Sequence, residues 1–465
     1  MKQNLVESIR DFLSYIPTKD QEHLIFVLNR FTNSSTEHPI LIINGYAGTG
    51  KTSLISGYVK ALLNLKKRVV LMAPTGRAAK VFSAFAGFPA STIHRQIYQI
   101  QELSSGRKAW VLKTTRRKNT VFIVDEASMI GNFSGHSGQS GLLKDLLKYA
   151  MNNKGNKLIL MGDAAQLPPV GEILSQALDF QFFKDFTSFP TARVTLREVV
   201  RQEANSTLLD NATHVRDLIE QQSRCWPQLF PDNKKEVIAI LSNEFEMYFE
   251  DQMDLNPLDE LIVITPSNKR ANLYNQQIRS RLLWYEEELT EGDQLMVVKN
   301  DYYWLKDQFI ANGEIIEVRR VRRIYKKFGF TFADLEVLLP DVMQQESLDV
   351  KALLDTLYVN GPSMDEKDHS QLFEAVLNSY ADEETYELQL QKTYQDPYLN
   401  ALQVKFAYAI TGHKSQGGQW NVVFLEAPIV RNALPEMEDL RWLYTCITRA
   451  VKTLYLINFH EGYFK

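Results

Sequence analysis

One short loop, Gly45-Tyr46-Ala47-Gly48-Thr49-Gly50-Lys51-Thr52, carries the residue types that hold phosphate. Its glycines let the backbone curl so that N–H groups point inward at phosphate oxygens. Lys51 then reaches the β- and γ-phosphates, and the Thr52 hydroxyl suits Mg²⁺. Gly45, Ala47, Gly48, Thr49, Gly50, Lys51, Thr52 and Ser53 are therefore candidates for holding ATP. Downstream, the apolar run Thr120-Val121-Phe122-Ile123-Val124 ends in Asp125-Glu126. A strand delivering two carboxylates to its carboxyl end places Asp125 to hold a metal through water. It places Glu126 to orient or deprotonate an attacking water. Gln166 sits in a loop stiffened by Pro168 and Pro169, which suits a polar sensor of the γ-phosphate. Gln21 has two readings that both stay open. With Thr18 three residues before it, it completes a capping box; just upstream of a phosphate loop, it can instead read an adenine edge.

The flanking residues supply the elements this chemistry needs. Ile40-Leu41-Ile42-Ile43 reads as a buried strand before the loop, and Leu54, Ile55, Tyr58, Val59, Leu62 and Leu63 as a helix after it. A helix N-terminus there adds partial positive charge. Arg68–Ala73 is a second strand, running into a helix that starts at Thr75-Gly76-Arg77-Ala78-Ala79-Lys80. Ligands of parallel sheets sit outside the carboxyl ends of strands, so Thr75, Arg77 and Lys80 either touch a ligand or form a solvated helix start. His94 opens the next helix, and residues 98–118, with Trp110, read as a basic hairpin projecting from the sheet. Leu158-Ile159-Leu160-Met161-Gly162-Asp163 is another strand. The first ~190 residues thus read as a parallel α/β domain of alternating strands and helices.

The chain has 465 residues, enough for two to four domains. With 45% hydrophobic and 23% charged residues it has the composition of an ordinary globular protein. No apolar run approaches the ~18 residues of a membrane span. Cys225 and Cys446 are too far apart to suggest a disulfide framework, and reduced cytoplasmic thiols are the expectation. A net charge of −4 argues against a coat-like nucleic-acid binder but leaves room for a local basic channel. Charge is segregated. Arg107–Lys118 and Arg319–Lys327 are basic, whereas 341–400 holds thirteen Asp/Glu against three Lys.

The segments GYAGTGKT, APTGRAA, STIH, VDEAS and GDAAQLPPVG, in that order, resemble the motifs of superfamily-1 helicases of the RecD/Dda type. Leu196–Gln202 looks like the motif joining two motor lobes, with Arg201 as an arginine directed at the γ-phosphate. Ile262–Arg270 resembles the first strand-to-helix turn of the second lobe. His413-Lys414-Ser415-Gln416 looks like a nucleic-acid-contacting motif, and Leu443–Ala450 like the last helicase motif, with Arg449 a second arginine finger. Three features depart from the pattern. Gly412 stands where relatives carry a larger residue, Gly418-Gln419-Trp420 lacks the acidic or hydroxyl-bearing form, and 301–400 matches nothing specific.

The resemblance implies an α/β protein of two RecA-like parallel-sheet motor domains. The first carries the hairpin insertion and the second a larger, partly β-barrel-like one. The expected spans are 1–195 for the first lobe, 196–300 with 396–465 for the second, and 301–395 for an accessory insertion. It implies an ATP- and Mg²⁺-dependent DNA helicase moving 5′→3′, with Lys51, Glu126, Gln166, Arg201 and Arg449 catalytic and Thr52 and Asp125 on the metal. Thr75, Arg77, Lys80, His94, Trp110, His413, Lys414 and Ser415 would line the track for single-stranded DNA and forks. Trp110 would sit on the wedge. Binding should weaken steeply with salt if phosphate contacts predominate. The chain is expected to act as a monomer without a membrane, the acidic 341–390 segment being available to a protein partner. A DNA-stimulated ATPase acting as a loader is the alternative, and a phosphate-loop kinase is the reading the second-lobe motifs oppose.

Overall fold

Strand β1 (Ile40–Gly45) is buried along its whole length, as befits a strand covered by helices on both faces. The computed structural model describes residues 4–102, 108–131, 141–169, 171–172, 174–198, 206–232, 236–305, 310–339, 347–430 and 434–464. In the first lobe β1 is followed by β2 (Arg68–Ala73), β3 (Ala90–Thr92), β4 (Tyr98–Glu102), β5 (Lys108–Leu112), β6 (Thr120–Val124), β7 (Lys157–Gly162) and β8 (Thr191–Leu196). Six of these form one parallel sheet in the order β3-β2-β6-β7-β1-β8. That order sets the carboxyl ends of β6, β7 and β1 side by side. Strands β4 and β5 pair antiparallel as the expected hairpin, outside the main sheet.

The second lobe begins with β9 (Val237–Ile240) and β10 (Leu261–Thr265). The chain then leaves through β11 (Gln294–Val297), β12 (Ile315–Lys327), β13 (Phe330–Leu338), β14 (Ser347–Leu353) and β15 (Leu402–Phe406), which close into a barrel. It returns with β16 (Ala409–Thr411), β17 (Trp420–Glu426) and β18 (Ala450–Ile457), completing a parallel sheet of order β16-β10-β17-β18-β9. The barrel extends beyond the expected 301–395 span. Closure pairs β11 with β15, Leu295 opposite Phe406, so the first and last strands come from either side of that span. The acidic stretch, unassigned by any motif, has a structure of its own. It contains β14, and then the helices Glu366–Asn378 and Tyr386–Tyr394. Leu372 and Val376 of the first of these pack on Phe330, Phe332 and Leu353 of the barrel. Among the described residues no helix is long and apolar enough to cross a membrane.

Candidate functional site

The turn after β1 requires its glycines. Gly48 and Gly50 lie in the left-handed region (φ +72° and +70°), and a Cβ on Gly45 would stand 2.5 Å from Cδ of Lys51. Gly50 caps the helix Lys51–Asn64, whose first N–H groups therefore face the loop. The Lys51 ammonium donates to the carbonyls of Gly45 and Tyr46 within the same loop. Ala47, Gly48, Gly50, Lys51, Thr52 and Ser53 line a cleft of about 800 Å³, whereas the Thr49 side chain is buried and donates back to Tyr46.

Opposite the loop, Asp125 and Glu126 sit at the end of β6 and Asp163 at the end of β7. The Asp125 carboxyl accepts from the Glu126 N–H at 2.8 Å and is hydrogen-bonded by Thr52. Burial, with the Glu126 charge beside it, pushes Asp125 up to about 7. Glu126 holds a left-handed conformation (φ +51°), and its Oε2 is buried with no hydrogen-bond partner among the described residues. A hydroxyl, a desolvated carboxyl and a second carboxylate form a hard-oxygen set that fits Mg²⁺ bound jointly with phosphate oxygens. Thr52 and Asp125 are the residues that would hold it. Gln166 lines the same cleft, with its amide oxygen buried and without a partner among the described residues.

The far wall belongs to the second lobe. Gly417, Gln419, Thr448 and Arg449 face the loop across the cleft. The Arg449 guanidinium is buried and donates to Thr445 O (2.9 Å), Gly418 O (3.0 Å) and the Thr448 hydroxyl (3.1 Å), so it is held on its own lobe. Arg201 lies outside the described residues.

A second cleft, about 410 Å³, opens where both lobes meet the barrel. Thr75, Arg77 and His94 come from the first lobe, His413, Lys414 and Trp420 from the second, and Asn300 and Asn312 from the barrel. Arg77 donates to Gln419 O at 2.6 Å and lies 4.1 Å from the centre of the Trp420 ring. Lys414 donates to Asn312, and burial lowers its pKa to about 8. Burial also lowers His94, to about 4, and His413. The Glu314 carboxylate approaches the N-terminus of the helix Gly76–Ala86 so closely that a Cβ on Gly76 would stand 2.5 Å from its Oε2.

Two expected site residues point elsewhere. Ser415 is buried and donates to Gly412 O at 2.8 Å, which holds the turn and keeps it off the cleft wall. Gln21 is buried; its amide oxygen accepts from Thr18 N at 3.0 Å and its NH₂ donates to Thr49 O at 2.9 Å. It braces the loop from behind, which corrects the adenine reading. Lys80 is exposed on its helix and lines neither cleft, and the side chain of Trp110 lies outside the described part of β5. The departures at Gly412 and Gly418 are packing matters. A Cβ on Gly412 would run into the indole of Trp442, and one on Gly418 into Trp420.

The lobes also meet along the helix that leads into the last motif. From the helix Met437–Ile447, Tyr444 donates to Asp163 Oδ2 at 2.6 Å, Arg441 donates to Ala164 O and Gln166 O, and Thr445 accepts from Leu167 N at 2.8 Å. Gln416 donates to Leu167 O at 2.6 Å. Arg441, Tyr444 and Thr445 fall at i, i+3 and i+4, one helix face, and that spacing was the available signal.

Residues 27–221 match the family model described as an AAA domain, and residues 406–457 match the UvrD-like helicase C-terminal domain. The chain is similar to the superfamily-1 helicases of the RecD/Dda type. It is 25% identical to the ATP-dependent DNA helicase dda of Enterobacteria phage T4, over 93% of this chain and 97% of the phage protein. An uncharacterized protein of Acanthamoeba polyphaga mimivirus is also 25% identical, over 92% and 97%. The ATP-dependent RecD2 DNA helicase of Deinococcus radiodurans is 26% identical over 57% of this chain, which spans only 34% of that protein. A crystal structure of Pif1 helicase from Bacteroides with ADP-AlF3 and ssDNA aligns over 97% of this chain and 95% of that one, with 14% identity and a TM-score of 0.48.

Proposed function

We propose that this chain is an ATP-dependent helicase that moves 5′→3′ along single-stranded DNA and separates duplex at forks. One observation carries the reading. Both lobes wall the phosphate cleft, and the same two lobes wall the second cleft, so a change in their spacing alters both at once. Direction and the choice of DNA rest on the family.

In this reading the amides of the loop and Lys51 hold the β- and γ-phosphates, the Lys51 ammonium exchanging its loop carbonyls for phosphate oxygens. Glu126, its Oε2 without a partner, accepts a proton from the attacking water or orients it. Gln166 senses the γ-phosphate from the stiff loop after β7. Bound at Thr52 and Asp125, Mg²⁺ would neutralise phosphate charge. Arg449 swings from its own lobe's carbonyls toward the phosphoryl group as the lobes close, with Arg201 as its counterpart. An arginine finger is typically worth 10³–10⁵ in rate, so turnover is slow until a strand across the second cleft favours closure. Thr75, Arg77, His413 and Lys414 grip that strand, and the β4–β5 hairpin stands as the wedge. Because one chain supplies both halves of the site, the motor works as a monomer.

The test is release of a fluorescent strand from forks with a 5′ or a 3′ tail. The helicase reading expects ATP-dependent release from the 5′-tailed fork only, lost in Lys51→Ala. DNA-stimulated ATPase with no release from either fork would leave a loader in its place.

A further inference from the structure

Tyr444 sits where the two lobes, the phosphate loop and the end of β7 converge. Its hydroxyl is buried; it donates to Asp163 Oδ2 at 2.6 Å and accepts from the Ala47 N–H at 3.0 Å. Asp163 is fixed at its other oxygen by the Ala165 N–H, 2.9 Å from Oδ1. Burial raises the tyrosine well above its ordinary range, so its proton stays in place and the hydrogen bond to Asp163 keeps one direction. The ring packs in the second lobe's core beside Leu440, Leu443 and Ile447, while the hydroxyl alone crosses to the first lobe. The same helix runs on into Thr448-Arg449. A displacement of that helix therefore moves Arg449 and pulls on Ala47 and Asp163 together.

We propose that Tyr444 is a positioning residue for ATP hydrolysis, its hydroxyl tying the placement of the second lobe to the phosphate loop through Ala47 and to the catalytic face through Asp163. The inference rests on the ATPase reading above. Without the hydroxyl, Ala47 and Asp163 each lose a buried partner while the ring still fills its place, so the effect separates from packing. ATP itself is gripped by Lys51 and the loop amides, of which Tyr444 meets only that of Ala47. Removing the hydroxyl should leave ATP binding intact and misplace the groups needed at the transition state.

The experiment is steady-state ATPase of the full chain with saturating oligo-dT, comparing wild type, Tyr444→Phe, Asp163→Asn and the double variant. For Tyr444→Phe the expected result is a KM for ATP within about twofold of wild type and a kcat lowered about ten- to a hundredfold. The double variant should lose little more than Asp163→Asn alone, since both changes break one bond. Wild-type kcat in Tyr444→Phe, a raised KM with kcat preserved, or losses that multiply in the double variant would each overturn the assignment. Should Tyr444→Phe not fold, Asp163→Asn, whose single amide oxygen can serve the Ala165 N–H but not the tyrosine hydroxyl as well, reads the same bond from its other end and carries the same KM and kcat expectation. A wild-type chain without ATPase would end the motor reading itself; wild-type turnover with an unaltered Tyr444→Phe ends only the tyrosine's role.

Discussion

Glu126 is held in a backbone conformation that costs a residue with a side chain on the order of 1 kcal/mol, yet its Oε2 has no partner among the described residues. In the proposed mechanism, strain and an unpartnered carboxylate oxygen at one residue suit a group kept for the attacking water. Glu126→Gln preserves shape and polarity but not basicity. It should keep nucleotide affinity within about threefold while turnover falls 10²–10⁴-fold, measured by fluorescent-nucleotide titration and phosphate release. Lys414 supports a pH prediction. Its pKa is lowered to about 8, so the free cleft carries this charge fully below that pH and loses it above. A phosphate beside the ammonium favours the charged form, so strand affinity should be level below about pH 8 and fall above it. Lys414→Arg, charged throughout, should flatten the profile between pH 7 and 9.5 in anisotropy titrations. An unchanged decline in that variant would remove Lys414 from the contact.

At the scale of elements, the turn before β12 places Glu314 against the helix start at Gly76, the end of a helix where anions are favoured. A strand phosphate at Thr75 must compete with that carboxylate. Glu314→Gln should therefore tighten oligonucleotide binding several-fold, and weaker binding would mean that Glu314 itself serves the strand. What could be read beforehand divides along similar lines. The phosphate loop and the two acids after β6 were legible because their chemistry dictates residue types at fixed spacing, and their strands are continuous apolar runs. The barrel's limits were not, since pairing Leu295 with Phe406 leaves no local mark in either segment. β14 was hidden because its outward residues, Asp349 among them, belong to an acidic stretch that no motif assigned. Gln21 was ambiguous because one amide serves both the cap and the loop, and only the fold shows both groups engaged. Arg441 and Tyr444 look like ordinary helix residues until the opposite lobe is in place.

For the whole molecule the decisive quantity is how little positive charge the strand cleft contains. The chain carries a net charge of −4, and among the residues lining that cleft the cations at pH 7 are Arg77 and Lys414. His94 and His413 are both shifted downward by burial and are neutral at pH 7. The basic strand β12 adds less than its composition suggests, because Arg322 pairs with Asp349 and Glu336, and Arg323 with Asp334. A single strand releases about 0.7 counterion per phosphate contact, so two or three contacts give a log–log salt slope of about −1.4 to −2.1. That is shallower than the steep dependence expected from motifs alone. It follows if, as proposed, the grip is built on amides, neutral imidazoles and the Arg77–Trp420 pair rather than on a basic channel. Oligo-dT anisotropy between 50 and 300 mM salt measures the slope directly. Arg77→Ala should reduce it by about 0.7 while leaving the remainder intact. A wild-type slope steeper than about −3 would require phosphate contacts outside this cleft, and the unpaired members of β12 would then be the first surface to neutralise.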